Sequence, residues 1–260
     1  MEAPGDAMQF VDIHTHLIPG LDDGPASLDE TLEMLRHAYD RGTRAMVATP
    51  HMFAWFGNSE PRLVQDAYSS MVESLQQVAK GNEGEFLREM NLYLGAENFI
   101  SPEFLAALEK GDVLTLNGSR YLLVEFPPHL PFGAADSAVE RMLESGLIPV
   151  LAHVERYGFV YRRSGRLASL KKKGCVVQVN AESIVDLRGR GVAKALMPLF
   201  ESRWVDIVAS DGHDVHSRLP TLAAAYETLA ARYPETAVAA WMWQNPARIL
   251  RDRPILSLVR

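Results

Sequence analysis

Cysteine is nearly absent: the 260 residues contain one, Cys175. A single thiol excludes an internal disulfide framework and a thiolate zinc site. No apolar run approaches the ~20 residues of a membrane-spanning helix, so no membrane insertion is expected. An excess of basic charge is also missing, with 26 Lys and Arg against 33 Asp and Glu. A broad nucleic-acid footprint is basic, so non-specific binding to DNA or RNA is disfavoured. The opening MEAPGDAMQF has neither a basic n-region nor an apolar h-region; no signal peptide is expected, and the expected location is cytoplasmic. Internal repeats and low-complexity linkers are lacking too, which predicts one domain over residues 9–260, with residues 1–8 as a mobile extension. What is present is ordinary for a globular chain, with 47% hydrophobic and 23% charged residues. The length fits one α/β barrel domain of roughly 200–250 residues.

Short apolar runs alternate with helical patterns. Strands are predicted at Phe10–Ile13, Ala45–Thr49, Asn91–Gly95, Tyr121–Glu125, Leu147–Ala152, Cys175–Val179 and Val205–Ala209, most rich in Val, Ile or Leu as strands buried on both faces should be. Leu28, Leu32, Leu35 and Tyr39 recur at helical spacing behind a capping signal at Ser27 and Glu30. Further helices are predicted at Leu63–Lys80, from Ser101-Pro102, at Asp136–Ser145, Leu167–Lys173, Val192–Phe200, Leu219–Arg232 and Pro234–Gln244. Residues 53–60 and 80–90 read as loops. The repeated β-α order predicts an α/β fold with a parallel sheet, open or closed into a barrel.

The chemistry is concentrated where these strands end. Asp12-Ile13-His14-Thr15-His16 places two imidazoles at i and i+2, a common metal clamp. His51, Glu97, Glu125, His153, Asp211 and His213 fall at or just past five further strand ends, and Asp22 and Asp23 share a turn after the first. Any one of these has a dull explanation as a cap or loop tether. Together they converge, because in a parallel barrel every C-terminal strand end opens on one face. Counting one of the two aspartates, nine N/O donors exceed the needs of one ion, so two or three divalent metals are expected. Imidazole and carboxylate without thiolate suit manganese, iron, zinc or magnesium, and the donor types do not choose among them; manganese is the first expectation. Adjacent metals suit the cleavage of phosphate esters.

DIHTHLIPGLDDGP, VATPH, GAE, LVEFP, LAHVERY, QVN and VASDGH follow one another in this order. They resemble the polymerase-and-histidinol-phosphatase (PHP) superfamily, and within it the bacterial tyrosine-protein phosphatases of capsule and exopolysaccharide synthesis. The resemblance runs from about Phe10 to Asn245. It implies a distorted, TIM-like (β/α)7 barrel of PHP type with a trinuclear site. It assigns His14, His16, Asp23, His51, Glu97, Glu125, His153, Asp211 and His213 as metal ligands, and Arg156 and Arg218 as catalytic, phosphate-binding residues. Thr15 stands where relatives often carry Ser, the extension before Phe10 is longer than usual, and the Phe53–Pro61 loop matches no pattern. The implied activity is metal-dependent hydrolysis of phosphotyrosine on a protein such as a bacterial tyrosine kinase; the alternative is a small-molecule phosphatase such as a histidinol phosphatase. The oligomeric state is left open.

Other residues carry paired readings. Asp12 either orients an imidazole or is satisfied by backbone, and Asn180 either lines the pocket or is structural. His37, His129 and His216 have no expected role, and Lys171–Lys173 reads as a solvated helix end. Phe53, Trp55 and Phe56 form either core or an aromatic rim for a substrate ring. Cys175 fails as a phosphatase nucleophile, since the sixth residue on is Ala181 where a C-x5-R loop needs arginine; it reads as a small buried strand residue.

Overall fold

A computed structural model of the chain describes residues 9–54, 57–162, 165–185 and 192–256. The expected extension, residues 1–8, lies outside them. Among the described residues there are nine strands: β1 (Phe10–Thr15), β2 (Thr43–Ala48), β3 (His51–Met52), β4 (Asn91–Leu94), β5 (Glu97–Phe99), β6 (Tyr121–Glu125), β7 (Ile148–Leu151), β8 (Val176–Asn180) and β9 (Ile207–Ala209). Every pairing is parallel, in the orders β1-β2-β4 and β3-β5-β6-β7-β8-β9.

The two runs follow one course. Thr49-Pro50 separates β2 from β3, and Pro50 has no N–H to give to a ladder; its carbonyl still accepts from Glu97 N at 3.0 Å. Gly95-Ala96 likewise separates β4 from β5, with Gly95 N donating to Ala48 O at 2.9 Å. At the far side, Thr15 forms a parallel bridge with Gly212, and Asp211 N donates to His14 O at 2.9 Å. The sheet therefore curls until β1 lies beside the segment leaving β9. Gly212 is required there, because a Cβ would sit 2.5 Å from Pro220 Cα.

Strand parity divides the core. Val11, Ile13, Val47, Tyr93, Tyr121, Leu123, Val150, Ala152, Val176, Ile207 and Ala209 belong to an inner cluster. Leu122, Val124, Leu151, Val177, Val179 and Val208 face outward into the larger cluster beneath the helices. Ile249 and Leu250 join the inner cluster at the N-terminal strand ends, where Asn117 Nδ2 donates to Leu250 O at 3.0 Å and Tyr121 Oη to Arg253 O at 2.9 Å. That end is plugged, and the C-terminal ends are left for chemistry.

Helix α1 (Leu28–Asp40) has Ser27 as its cap, accepting from Glu30 N at 3.3 Å, while Glu30 reaches back to Ala26 N at 2.8 Å. Helix α2 spans Pro61–Val78, and α3 (Pro102–Lys110) starts at Ser101 and ends at Gly111 in the left-handed region (φ 75°). Several expectations need correction. The short strands β3 and β5 were not predicted, so His51 and Glu97 open strands rather than follow them. Residues 80–90 contain a 3₁₀ segment, Asn82–Arg88. The helix Phe132–Glu144 begins four residues earlier than expected, directly after Pro131. The helix expected at Leu219–Arg232 covers only Ala223–Ala230, since Pro220 disfavours helical backbone at Leu219. Pro234–Gln244 divides into Glu235–Ala239 and a π-turn, Ala240–Gln244, from which Trp241 Nε1 donates to Val205 O at 2.9 Å.

Candidate metal centre

The polar residues at the C-terminal strand ends continue the inner-face parity. His51 lies four residues beyond Val47, Glu97 four beyond Tyr93 and Glu125 two beyond Leu123, so each points where the apolar series points. His14 and His16 have the opposite parity to Ile13. A register shift in β1 between Asp12 and Thr15 re-phases the pleat and turns them inward. His153 and Asp211 are re-aimed in another way: both sit at positive φ, 31° and 58°. Such strain in non-glycine residues is retained where a site needs it.

All nine sequence-predicted ligands meet. Glu97 is the hub: Oε2 lies 3.3 Å from His14 Nε2, 3.5 Å from His16 Nε2 and 3.1 Å from His51 Nδ1, and Oε1 is 2.9 Å from His153 Nε2. Asp211 Oδ1 is 3.2 Å from His14 Nε2 and 3.6 Å from His16 Nε2. Asp23 Oδ1 is 3.4 Å from His51 Nε2 and 3.3 Å from His213 Nε2. Glu125 Oε1 stands 3.7 Å from His153 Nε2. Three overlapping sets have donor atoms within 4.8 Å of one another: His16, Asp23, His51 and His213; His14, His16, Glu97 and Asp211; and His51, Glu97 and Glu125. The adjacent aspartates point in different directions, Asp23 toward His51 and His213. Asp22 stands behind His16, its Oδ2 2.6 Å from Nδ1 and 2.9 Å from His51 N. Gly24 closes this turn, where a Cβ would meet His16 O at 2.9 Å.

The residues fit a set of divalent ions. His14 Nε2, His16 Nε2, His213 Nε2, Glu97 Oε2 and Glu125 Oε2 are buried and have no hydrogen-bond partner among the described residues. Buried polar atoms without partners are costly, and these converge on one another from different strands. Imidazole nitrogens with carboxylate oxygens, and no thiolate, form a donor set for such ions.

Opposite charges dominate the metal-free electrostatics. Burial disfavours a charged His14, but the Glu97 and Asp211 carboxylates outweigh it and push His14 up to about 9. Burial likewise opposes ionisation of Glu97, and the surrounding histidines still hold it well below the usual carboxylate range. Asp23 and Asp211 are lowered in the same way, against burial, chiefly by His213 and His14 respectively. Burial, reinforced by Glu97, raises Glu125 instead.

The two arginines stand at the rim, each holding the outer oxygen of an acid in the cluster. Arg156 Nη2 is 3.1 Å from Asp211 Oδ2, and Arg218 Nη2 is 2.8 Å from Asp23 Oδ2. Both arginine side chains are partly exposed, at 48% and 36%, and each guanidinium has more donors than its one acid contact uses.

Asp12 does not orient an imidazole. Its Oδ1 accepts from Ser210 N at 3.0 Å and His14 N at 3.3 Å, tying β1 to the end of β9. Asn180 faces the site, with Nδ2 2.8 Å from Asp211 Oδ2. Phe53 is buried and meets Phe104 edge-on at 5.7 Å, so it belongs to the core and not to a rim; Trp55 and Phe56 lie outside the described residues. His129 and His216 are exposed and His37 sits on α1. Lys171 pairs with buried Asp206, and Lys173 with Asp136 and Glu140, so this helix end is ion-paired where solvent was expected. Cys175 is buried, and its thiol is pushed up to about 12 by that burial. Sequence reading missed Gln178 and Glu155. Gln178 was detectable as the residue between Val176 and Asn180 on the same face of β8.

The family model described as capsular polysaccharide synthesis, CpsB/CapC, matches residues 10–251. The tyrosine-protein phosphatase CpsB of Streptococcus pneumoniae is 29% identical over 251 residues, 95% of this chain and 100% of that protein. The tyrosine-protein phosphatase YwqE of Bacillus subtilis is 31% identical over 212 residues, 80% of this chain and 79% of that protein. Crystal structures of YwqE and S. pneumoniae CpsB, described as unique metal-dependent tyrosine phosphatases, include a chain that superposes with a TM-score of 0.83 at 29% identity, covering 95% of this chain and 96% of that one.

Proposed function

The chain belongs to the CpsB/CapC family of capsular polysaccharide synthesis, and from that premise we propose that it is a metal-dependent protein-tyrosine phosphatase. The observation that carries the reading is the convergence of eight N/O-donor residues in three overlapping sets at one end of the curled sheet, with His153 Nε2 beside them at 2.9 Å from Glu97 Oε1. His14, His16, Asp23, His51, Glu97, Glu125, His153, Asp211 and His213 are the proposed ligands of two or three divalent ions, manganese ranked first over iron, zinc or magnesium. Counting β2 with β3 and β4 with β5 as single interrupted strands makes seven strand courses among the described residues, which supports the (β/α)7 reading. Residues 9–260 read as one domain.

When bound, adjacent divalent ions supply Lewis acidity that polarises a phosphoryl group and activates water. The chain's own residues supply the rest. Arg156 and Arg218 grip phosphoryl oxygens with the donors their acid partners leave available, through charge-assisted hydrogen bonds that are strong and directional. They stay there as charge develops in the transition state. Glu97 and Asp211, held ionised, keep the cluster's charge balanced. A tyrosine leaving group has a pKa of about 10, so it departs with less protonic help than a serine alkoxide. That smaller demand for a proton favours aryl esters.

The proposed substrate is a phosphotyrosine-containing protein, a bacterial tyrosine kinase being the natural class, and the proposed location is the cytoplasm, where kinases meet ATP. The test is a metal-reconstituted panel of a phosphotyrosine peptide, a phosphoserine peptide and histidinol phosphate under one condition. The phosphotyrosine peptide is expected to have the highest kcat/KM. A tenfold advantage for histidinol phosphate would replace this reading with a small-molecule phosphatase.

A further inference from the structure

Among the described residues β8 is the one strand course of the curled sheet that gives no proposed ligand, yet its end toward the site is polar and buried. Gln178 and Asn180 continue the inward series from Val176, and both are buried. Their side chains form a line. Gln178 Oε1 accepts from His153 N at 2.8 Å and faces His14 Nδ1 at 3.3 Å. Gln178 Nε2 donates to Asn180 Oδ1 at 2.8 Å, and Asn180 Nδ2 donates to Asp211 Oδ2 at 2.8 Å.

The polarity of this line is fixed at both ends. A backbone N–H only donates, so the oxygen of Gln178 must face His153. The Gln178 nitrogen must then face the oxygen of Asn180, and the Asn180 nitrogen must face Asp211. The Asp211 carboxylate, which only accepts, closes the chain. Reversing either amide would break contacts at both of its ends.

The geometry points to Gln178 and Asn180 as positioning residues for ligands carried by three other strand courses. It rests on the reading of the cluster as a metal centre. With Gln178 Oε1 as acceptor, His14 keeps its proton on Nδ1 when the ring is neutral, which leaves Nε2, beside Glu97 and Asp211, as the nitrogen available to an ion. Asn180, together with Arg156, occupies Asp211 Oδ2 and leaves Oδ1 for the cluster. The line also ends on the two site residues with positive φ, His153 by its backbone and Asp211 by its side chain. Glu155, itself buried, anchors the strand from behind by accepting from Asn180 N at 2.9 Å. Asp22 performs the same service for His16, and the Asp211 carbonyl for His213 Nδ1 at 2.7 Å. Partners of this kind fix ring orientation and ligand basicity.

The experiment compares the full chain with Gln178→Met, Gln178→Glu and Asn180→Ser. Chelator-stripped protein is titrated calorimetrically with Mn2+, thermal melting is followed without metal, and the imidazole protons of the Zn2+-loaded protein are recorded by NMR, with His14 assigned through His14→Asn. Gln178→Met is expected to bind Mn2+ about ten- to a hundredfold more weakly and to lose or shift the His14 Nδ1–H resonance. Gln178→Glu keeps an acceptor for His14 but cannot donate to Asn180, so it should retain that resonance while still losing affinity. Asn180→Ser should lose affinity with the resonance unchanged, and it carries the test if the Gln178 variants fail to fold. Folded variants that bind Mn2+ like wild type, or that lower only the metal-free melting temperature, overturn the assignment and leave the metal centre standing. A wild-type chain that binds neither Mn2+ nor Zn2+ overturns both.

Discussion

Asp22 Oδ2 lies 2.6 Å from His16 Nδ1, a hydrogen bond that turns the opposite ring nitrogen toward Glu97 and Asp211. Asp23, its neighbour in the chain, points the other way, toward His51 and His213. One Asp-Asp pair therefore points one acid at a ring nitrogen and the other into the proposed ligand cluster, and the two should behave differently when removed. Asp23→Ala is expected to lose a full equivalent of metal at saturation. Asp22→Ala should retain the equivalents while weakening affinity about ten- to a hundredfold. Elemental analysis after equilibrium dialysis separates the two, and equal stoichiometric loss in both variants would refute the division.

Arg156 and Arg218 are expected to serve phosphate and not metal. Arg156→Ala and Arg218→Ala should each lower kcat/KM on a phosphotyrosine peptide while leaving metal content intact. Losing one charge-assisted contact costs about 1.5–3 kcal/mol, or roughly ten- to a hundredfold in rate. Because each arginine also offsets a cluster carboxylate, metal content must be measured on the same samples. Unchanged kinetics in both variants would return these side chains to the surface.

Much of this site was legible in the sequence because strand ends are short apolar runs followed at once by His, Asp or Glu. The parity of those runs carries the inward direction from Val47 to His51 and from Leu123 to Glu125. What escaped was set by contacts remote in the chain. Asp12 was ambiguous because its partner, Ser210, is 198 residues away. Gln178 carries no metal-ligand chemistry of its own, so nothing local marks it until His14 and His153 are placed beside it. Phe53 sits among loop residues and reads as a rim, but its burial against Phe104 is a tertiary fact. The interruption that makes β3 and β5 separate strands was visible as Pro50 and Gly95, yet two- and three-residue strands are shorter than any periodicity can register.

Cys175 should be chemically silent. Burial pushes its thiol up to about 12, so at pH 8 the thiolate that would attack an alkylating agent is almost absent. Iodoacetamide is expected to label the native protein far more slowly than the urea-unfolded chain. Cys175→Ser should keep phosphatase activity, and EDTA should abolish it in both proteins. Strong loss in the serine variant, with normal melting and metal content, would mean the chemistry has been placed on the wrong residues.

The last prediction concerns protons displaced by metal. In the metal-free protein His14 is held up to about 9, above its ordinary 6.5, because Glu97 and Asp211 outweigh the burial that opposes its charge. At pH 7 the ring is therefore charged, and Nε2 accepts a metal only after its proton leaves. For the metal-free fold the sign is the usual one for a raised histidine: its stabilisation is complete below 6.5 and is lost as pH rises through about 9. For metal binding the same proton is a competitor, so affinity should rise with pH through that window, by up to about tenfold per unit for each proton displaced, and flatten above it. Calorimetric titration of stripped protein with Mn2+ at pH 7, in two buffers of different ionisation heat, counts the protons released. At least one per chain is expected at pH 7, and the number should fall as pH approaches 9. A count of zero at pH 7 would show that His14 is already neutral beside its carboxylates. His14→Asn should lower the count, since it removes the group that must give up its proton.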